Sequence, residues 1–462
     1  MQETKQAHVS ETAAAYAVEP YVRNEGSVGN KRIVFIGASY KFVHKVLRDM
    51  LLVGGFDECE LVVHDIDPVP MDTVARLLER IVEQTGSRIR VRRTLDRREA
   101  LKGADAAVLS ITTGGEESDA RSWDVCHKYG IPVGIGDTLG PAAFARNLRS
   151  VPVVVDIIRD MEELCPDAVM LNFTNPLSCL TAAMARRRSI PAWGLCHSAD
   201  EMYSYFATVF DCEKTEIEMD VGGVNHQSFV TRLLVNGVDR TAEIQNATEA
   251  APQPHESVEL QQELFSILGA WPSTGETHLA EFYPFYFTPE RVKRFAGHMK
   301  LPAPEREAYG RRPCPPIIQR WASGPAPVED LHLLTTEHAH ELLWSAFTGA
   351  PFSRILNVLN AGYLIQGIPE DVCVEALVTV AGKKVTGQSI GLPPAVHSLV
   401  QRWTTIQDLT LTAALDCNRD AARQALFLDP HLRDPATIDP LLDDMIVALE
   451  PWLPARWHSA MA

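Results

Sequence analysis

Two short apolar runs flank an amphipathic segment near the start of this chain, and the second run ends in an acid. No other feature narrows the fold as much. Arg32-Ile33-Val34-Phe35-Ile36 closes on Gly37, and a helical pattern follows through Val43, Val46, Leu47, Met50 and Leu51. Residues 61–64 then lead into Asp65-Ile66-Asp67. Strand, helix and a strand ending in a carboxylate form the unit that binds an adenosine ribose. The alternation continues, with strands expected over 106–111, 133–135, 169–173 and 193–195. A helix is expected over 151–164, with Pro152 tolerated in its first turn.

Strands alternating with helices of this length predict an α/β fold built on a doubly wound parallel sheet of Rossmann type. Beyond residue 200 longer helical stretches appear, over 258–268, 337–346 and 399–415. Proline interrupts the chain at 301–327, and the polar stretch 246–255 reads as a surface loop. The expected organisation is a flexible extension over 1–30, a nucleotide-binding domain over 31–197, and a mixed α/β, helix-rich C-terminal domain over 198–462. The cleft between the two domains would hold the ligands.

Composition limits the partners. The chain has 462 residues, 46% hydrophobic and 22% charged, which is enough for a sizeable core. A formal charge of −17 argues against nucleic acid or an anionic membrane surface. Nine scattered cysteines, with no Cys-x-x-Cys pair, fit reduced thiols and a cytoplasmic address. The N-terminus shows no signal-peptide pattern, and nowhere do eighteen apolar residues run together.

The expected nucleotide turn is Gly37-Ala38-Ser39-Tyr40, with one glycine where the dinucleotide fingerprint has three. Asp65 follows Gly37 by 28 residues, and a carboxylate there can accept both ribose hydroxyls, favouring NAD over NADP. On these residues alone a second reading stands beside it, in which Gly37 is a plain turn and Asp65 a helix cap.

Longer motifs add a resemblance. Gly136-Asp137-Thr138-Leu139-Gly140-Pro141 is followed by Arg146 and by Arg149-Ser150-Val151-Pro152. Further on come Arg159-Asp160-Met161-Glu162-Glu163-Leu164-Cys165-Pro166-Asp167-Ala168 and Asn172-Phe173-Thr174-Asn175-Pro176. Gly194-Leu195-Cys196-His197-Ser198, Gly223-Val224-Asn225-His226 and Asn357-Val358-Leu359-Asn360 complete the set, with residues 426–430. In this order, over nearly all of 32–430, the chain resembles glycoside hydrolase family 4, whose fold is related to that of lactate and malate dehydrogenases.

The resemblance implies NAD+ and a divalent metal, manganese, as cofactors. Hydride transfer from sugar C3 makes a ketone, the C2 proton becomes acidic, the C1 substituent is eliminated, water adds back, and the hydride returns to C3. It places Cys196 and His226 on the metal, and Gly37, Ser39, Asp65 and Thr112 on the cofactor. Asn175, Asn225 and Arg146 become contacts to the sugar or the metal shell. His197 becomes the acid for the leaving group. Glu276, in Pro272-Ser273-Thr274-Gly275-Glu276-Thr277-His278, becomes the base at C2, with His278 and Tyr283 as rivals. Cys-His-Ser resembles branches acting on unphosphorylated α-hexosides or α-hexuronides, and the family implies a homodimer or homotetramer.

Two departures are visible. The nucleotide turn is one residue short of the family's and lacks its second glycine. Ala142-Ala143 stands where the family has Gly-Gly, adding a Cβ near the expected ligand path at each position. A plain NAD-dependent dehydrogenase lacks the Cys-His pair. A non-catalytic sugar or nucleotide sensor on the same fold would tolerate the lost glycines.

Overall fold

Ile33 and Phe35 enter one hydrophobic cluster while Val34 and Ile36 enter another, and all four are buried. Ala106 and Val108 divide from Ala107 and Leu109 in the same way. A strand buried on both faces needs apolar residues at every position, which is why these runs are continuous rather than alternating. Each such side chain removed from water contributes about 1.5–3 kcal/mol, so the sheet's centre carries much of the fold's stability.

The computed structural model describes residues 23–187, 189–251, 258–287 and 313–459. Six parallel strands lead the chain: β1 (Arg32–Ile36), β2 (Glu60–His64), β3 (Arg90–Thr94), β4 (Ala106–Leu109), β5 (Val169–Asn172) and β6 (Ala192–Gly194). They lie side by side in the order β3-β2-β1-β4-β5-β6, the doubly wound arrangement expected. The later strands are β7 (Ile217–Val224), β8 (Gln227–Val235), β9 (Val238–Asp239), β10 (Trp271–Pro272), β11 (Phe352–Leu359), β12 (Cys373–Ala381) and β13 (Lys384–Gly387). β11 pairs antiparallel with β6 through Asn357 and Gly194, and the sheet continues through β12, β7, β8 and β10. One sheet therefore runs through both halves of the chain.

Several expected elements are realised differently. The helix expected from residue 151 begins at Gly140 and spans Gly140–Leu164, with Pro141 taking the first-turn place expected for Pro152, which lies inside. Residues 133–135 are not a strand. Gly134 and Gly136 bracket Ile135, and the Gly136 amide donates to the Glu281 carboxylate instead of to a neighbouring strand. Residues 244–250 form a helix, Ile244–Ala250, so most of the described part of the expected 246–255 loop is helical. The helices expected over 258–268, 337–346 and 399–415 are found as Glu259–Leu268, Ala339–Thr348 and Pro394–Asp416. In the expected N-terminal extension, residues 1–22 lie outside the described part. Asn24 and Val28 donate backbone hydrogen bonds to Val53 and Gly55, so residues before Lys31 already pack on the domain.

Among the described residues no helix is long and apolar enough to cross a membrane. All nine cysteines are free thiols.

Candidate active site

The crevice above β1 and β4 is where the sheet order reverses and where such sheets bind ligands. Gly37 ends β1 with φ +98, and a Cβ there would sit 2.0 Å from the Ser110 carbonyl oxygen beyond β4. Only glycine fits. Asp65, at the end of β2, accepts the Ala38 amide at 2.8 Å and the Asp67 amide at 2.9 Å. Its carboxylate braces the turn, and four acceptor sites on two oxygens leave capacity for hydroxyl donors. Ser39 opens the turn into the helix Val43–Val53, its carbonyl accepting from Phe42 and Val43. Thr112 is exposed in the loop beyond β4, beside the same crevice.

The second group lies at the carboxyl edge of β5 and β6. β7 and β8 meet in a two-residue turn, Asn225-His226, closed by the Val224–Gln227 pair. Gly223 permits this: a Cβ there would lie 2.3 Å from the Gln227 carbonyl. His226 is held at φ +63, a left-handed backbone costing a non-glycine residue about 1–2 kcal/mol. The turn puts its ring 3.8 Å, centroid to centroid, from that of His278, on the helix Glu276–Phe282. Ligand atoms of Asp137, His226 and His278 all lie within 4.8 Å of one another. Three donors this close, one carboxylate and two imidazoles, fit a divalent cation.

Hydrogen bonding settles the form of His226. Thr138 Oγ1 lies 2.8 Å from Asp137 Oδ1 and 2.8 Å from His226 Nδ1. A hydroxyl has one proton and a carboxylate only accepts, so Thr138 donates to Asp137 and accepts from His226 Nδ1–H. Nε2 then carries the free lone pair, the form in which imidazole binds metal. Burial and the neighbouring His278 hold His226 well below the usual histidine range, hence neutral. Burial works against a charge on Asp137, but His278, Arg146 and the hydrogen bond from Thr138 outweigh it and keep the carboxylate ionised.

Asn175, before a cis peptide to Pro176, donates to Asp137 Oδ2 at 3.0 Å. Asn225 Nδ2 approaches Asn175 Oδ1 at 3.4 Å, so two of the three expected sugar contacts join the cluster. Cys196 follows β6 and is half-buried, with Sγ 3.2 Å from Ser198 Oγ. It is not one of the three clustered groups. Burial, with the Glu375 carboxylate adding to it, pushes its thiol up to about 12. His197 is mostly exposed, its Nε2 3.6 Å from Glu201.

Glu276 and Arg146 are placed differently from expectation. Glu276 Oε1 accepts the Leu260 amide at 2.8 Å and so ties down the start of the helix Glu259–Leu268. Two residues on a helix are about 200° apart, so with His278 turned to His226, Glu276 faces away. Arg146 forms a two-pronged pair with Asp119, which also takes Arg149, although its charge still reaches Asp137. Trp271 and Tyr283 are core aromatics. Trp271 stacks on Tyr205, and the Tyr283 hydroxyl accepts from Gln227 at 3.0 Å.

Three residues that matter here carried no role in the sequence reading. Asp137 sat inside a quoted motif and Asp119 in a helix, neither with a local signal. Glu375 did have one: an acid in the apolar run Val372-Cys373-Val374-Glu375-Ala376-Leu377-Val378. It is fully buried, and burial pushes its carboxyl up to about 7 against hydrogen bonds from Ser228 and Asn357.

Comparison with known proteins decides the family. Residues 32–211 match the model of the family 4 glycosyl hydrolases, and residues 221–432 match that of the family's C-terminal domain. The chain belongs to glycosyl hydrolase family 4. It is 31% identical to an alpha-galactosidase of Bacillus subtilis, covering 92% of this chain and 99% of that protein. It is 30% identical to an alpha-galacturonidase of Thermoanaerobacterium saccharolyticum, over 72% of this chain and 76% of that one. The 6-phospho-beta glucosidase of Thermotoga maritima, solved with manganese, NAD+ and glucose-6-phosphate, superposes with a TM-score of 0.76 at 20% identity, covering 92% of this chain and 99% of that one.

This chain's departures from the family motifs fall at buried positions. Ala38 and Ala142 are buried within the two hydrophobic clusters, and Ala143 is buried beside them. The shortened turn of this family 4 chain is held by the Asp65–Ala38 bond.

Proposed function

We propose that this family 4 glycosidase cleaves unphosphorylated glycosides, α-hexosides or α-hexuronides, by oxidation at C3, deprotonation at C2, elimination, water addition and return of the hydride to C3. NAD+ would supply the hydride acceptor and Mn2+ the Lewis acid that makes the C2 proton labile. The observation carrying this reading is the neutral His226, its Nε2 unprotonated, clustered with Asp137 and His278 at the carboxyl edge of a nucleotide-type sheet. The named relatives, an alpha-galactosidase and an alpha-galacturonidase, support the substrate class.

His226 and Cys196 would hold the cation, with Asp137 and His278 within ligand reach of His226. A coordinating thiol is deprotonated outright, which answers the raised pKa of Cys196. Gly37, Ser39, Asp65 and Thr112 would line the dinucleotide crevice. Asn175 and Asn225 orient sugar hydroxyls, with Arg146 adding positive charge beside them. His197, exposed beside the cluster, donates a proton to the departing oxygen. His278 takes the role of base in place of Glu276, with its Nδ1 4.0 Å from Asp137 Oδ1. The free thiols support a reducing, cytoplasmic compartment, and assembly as a homodimer or homotetramer belongs to the same reading.

The test offers the protein p-nitrophenyl α- and β-hexosides and hexuronides with NAD+, Mn2+ and a reductant in D2O. Deuterium at product C2 is expected, with turnover lost on chelation or on removal of NAD+. Hydrolysis indifferent to both, without label, overturns the reading. Thr138→Val keeps the shape but removes the acceptor for His226 Nδ1–H. Outer partners of metal-bound imidazole are typically worth 10–100-fold in affinity, so Mn2+ binding should weaken by about that factor. Calorimetric titration measures it, and unchanged affinity would remove Thr138 from this role.

A further inference from the structure

We propose that Glu375 is a positioning residue: acting through Asn357 and Ser178, it fixes the hairpin that presents His226. This rests on the metal reading above and adds to it a residue on β12.

Glu375 lies on β12, with Asn357 beside it on β11. Its Oε1 accepts Asn357 Nδ2 at 2.9 Å. A carboxylate only accepts, so the amide nitrogen of Asn357 must face it and the amide oxygen must face the other way. Asn357 Oδ1 in turn accepts Ser178 Oγ–H at 2.5 Å. With its proton committed, Ser178 Oγ is left as an acceptor, and it takes the backbone N–H of Asn225 at 2.9 Å. Asn225 is the residue before His226 in the two-residue turn. Every link in this chain is buried.

The same amide has a second reach. Asn357 Nδ2 lies 3.5 Å from Asn225 Oδ1, Asn225 Nδ2 lies 3.4 Å from Asn175 Oδ1, and Asn175 donates to Asp137 at 3.0 Å. Three asparagine amides thus run head to tail between the buried carboxylate of Glu375 and the half-buried one of Asp137, and reversing Asn357 would turn acceptor against acceptor along the row. The other oxygen of Glu375 takes the Ser228 hydroxyl at 2.6 Å, and Ser228 lies two residues beyond His226. Both sides of the turn are therefore tied to one acid. Its role is orientation, and a neutral side chain that still accepts from Asn357 should serve.

The experiment measures Mn2+ affinity of the folded full chain, by counting free Mn2+ in a titration, for wild type, Glu375→Ala, Glu375→Gln and Ser178→Ala. Glu375→Ala leaves Asn357 free to turn and should weaken Mn2+ binding by about 10-fold or more. In Glu375→Gln the amide oxygen can still accept from Asn357, while its NH2 donates to Ser228, whose proton turns to Ser273, 2.7 Å away. Affinity should then stay within about threefold of wild type, rescued by the conservative change. Ser178→Ala breaks the chain downstream of an intact Glu375–Asn357 pair and should match Glu375→Ala, which keeps the test decisive if Glu375→Ala fails to fold. Unchanged affinity in Glu375→Ala or Ser178→Ala overturns the proposal. Equal loss in Glu375→Ala and Glu375→Gln overturns it too, since charge rather than orientation would then be at work. A wild-type chain that binds no Mn2+ overturns the metal reading itself, and this inference with it.

Discussion

His226→Ala is expected to abolish measurable Mn2+ binding and to lower kcat/KM by about 10³-fold or more. A Lewis acid at a reacting carbonyl is worth several kcal/mol, and each 1.4 kcal/mol is about tenfold in rate. Alanine also pays for the left-handed backbone at this position, so His226→Gly is the control: glycine adopts φ +63 freely. Both variants should lose the cation if the ring is the ligand. Cys196→Ser should show a comparable loss in both readouts, because a hydroxyl replaces a thiolate in the cation's shell. His278→Ala separates ligand from base. As the C2 base it should lower kcat by about 10²–10⁴-fold while Mn2+ still binds. Mn2+ lost in parallel with kcat would make His278 a ligand. Native Mn2+ affinity in both His226 variants would end the metal assignment altogether.

How far this could be foreseen depends on the range over which each residue acts. β1, Gly37, β2 and Asp65 were legible because a doubly buried strand and the acid that ends its neighbour are local patterns. The run at 133–135 misled because three apolar-looking residues say nothing about where the backbone N–H groups go, and the next one along, that of Gly136, goes to Glu281. The pairing of Thr138 with His226 spans 88 residues, which no periodicity reports. Glu276 and His278 show the reverse case. Both stand in one motif, and only the helical rotation between them decides which faces the cluster. The acid in the middle of β12 was the one overlooked signal that sequence alone could have raised, since a charge in a buried strand requires partners.

Asp119→Ala is expected to destabilise the fold by about 3–5 kcal/mol, the cost of leaving a buried charge without its partner. Asp119 is buried, with Arg146 on both its oxygens and Arg149 on one. Arg149 is completely buried, held also by its Nε–H to the Thr113 carbonyl at 2.8 Å. Burial lowers its guanidinium to about 10, with Asp119 opposing that fall and Arg146 adding to it. Without the carboxylate two guanidiniums would face each other inside the protein. Asp119→Asn keeps the shape but not the charge, so it should lose most of the same stability. The measurement is the urea midpoint at constant slope. Adding Arg149→Met to Asp119→Ala removes the deeper unpaired charge and should recover a substantial part of the loss, because a well-packed apolar side chain often replaces a buried ion without penalty. Asp119→Ala within about 0.5 kcal/mol of wild type, the range of an ordinary surface change, would show that water reaches these arginines and that the cluster is not closed.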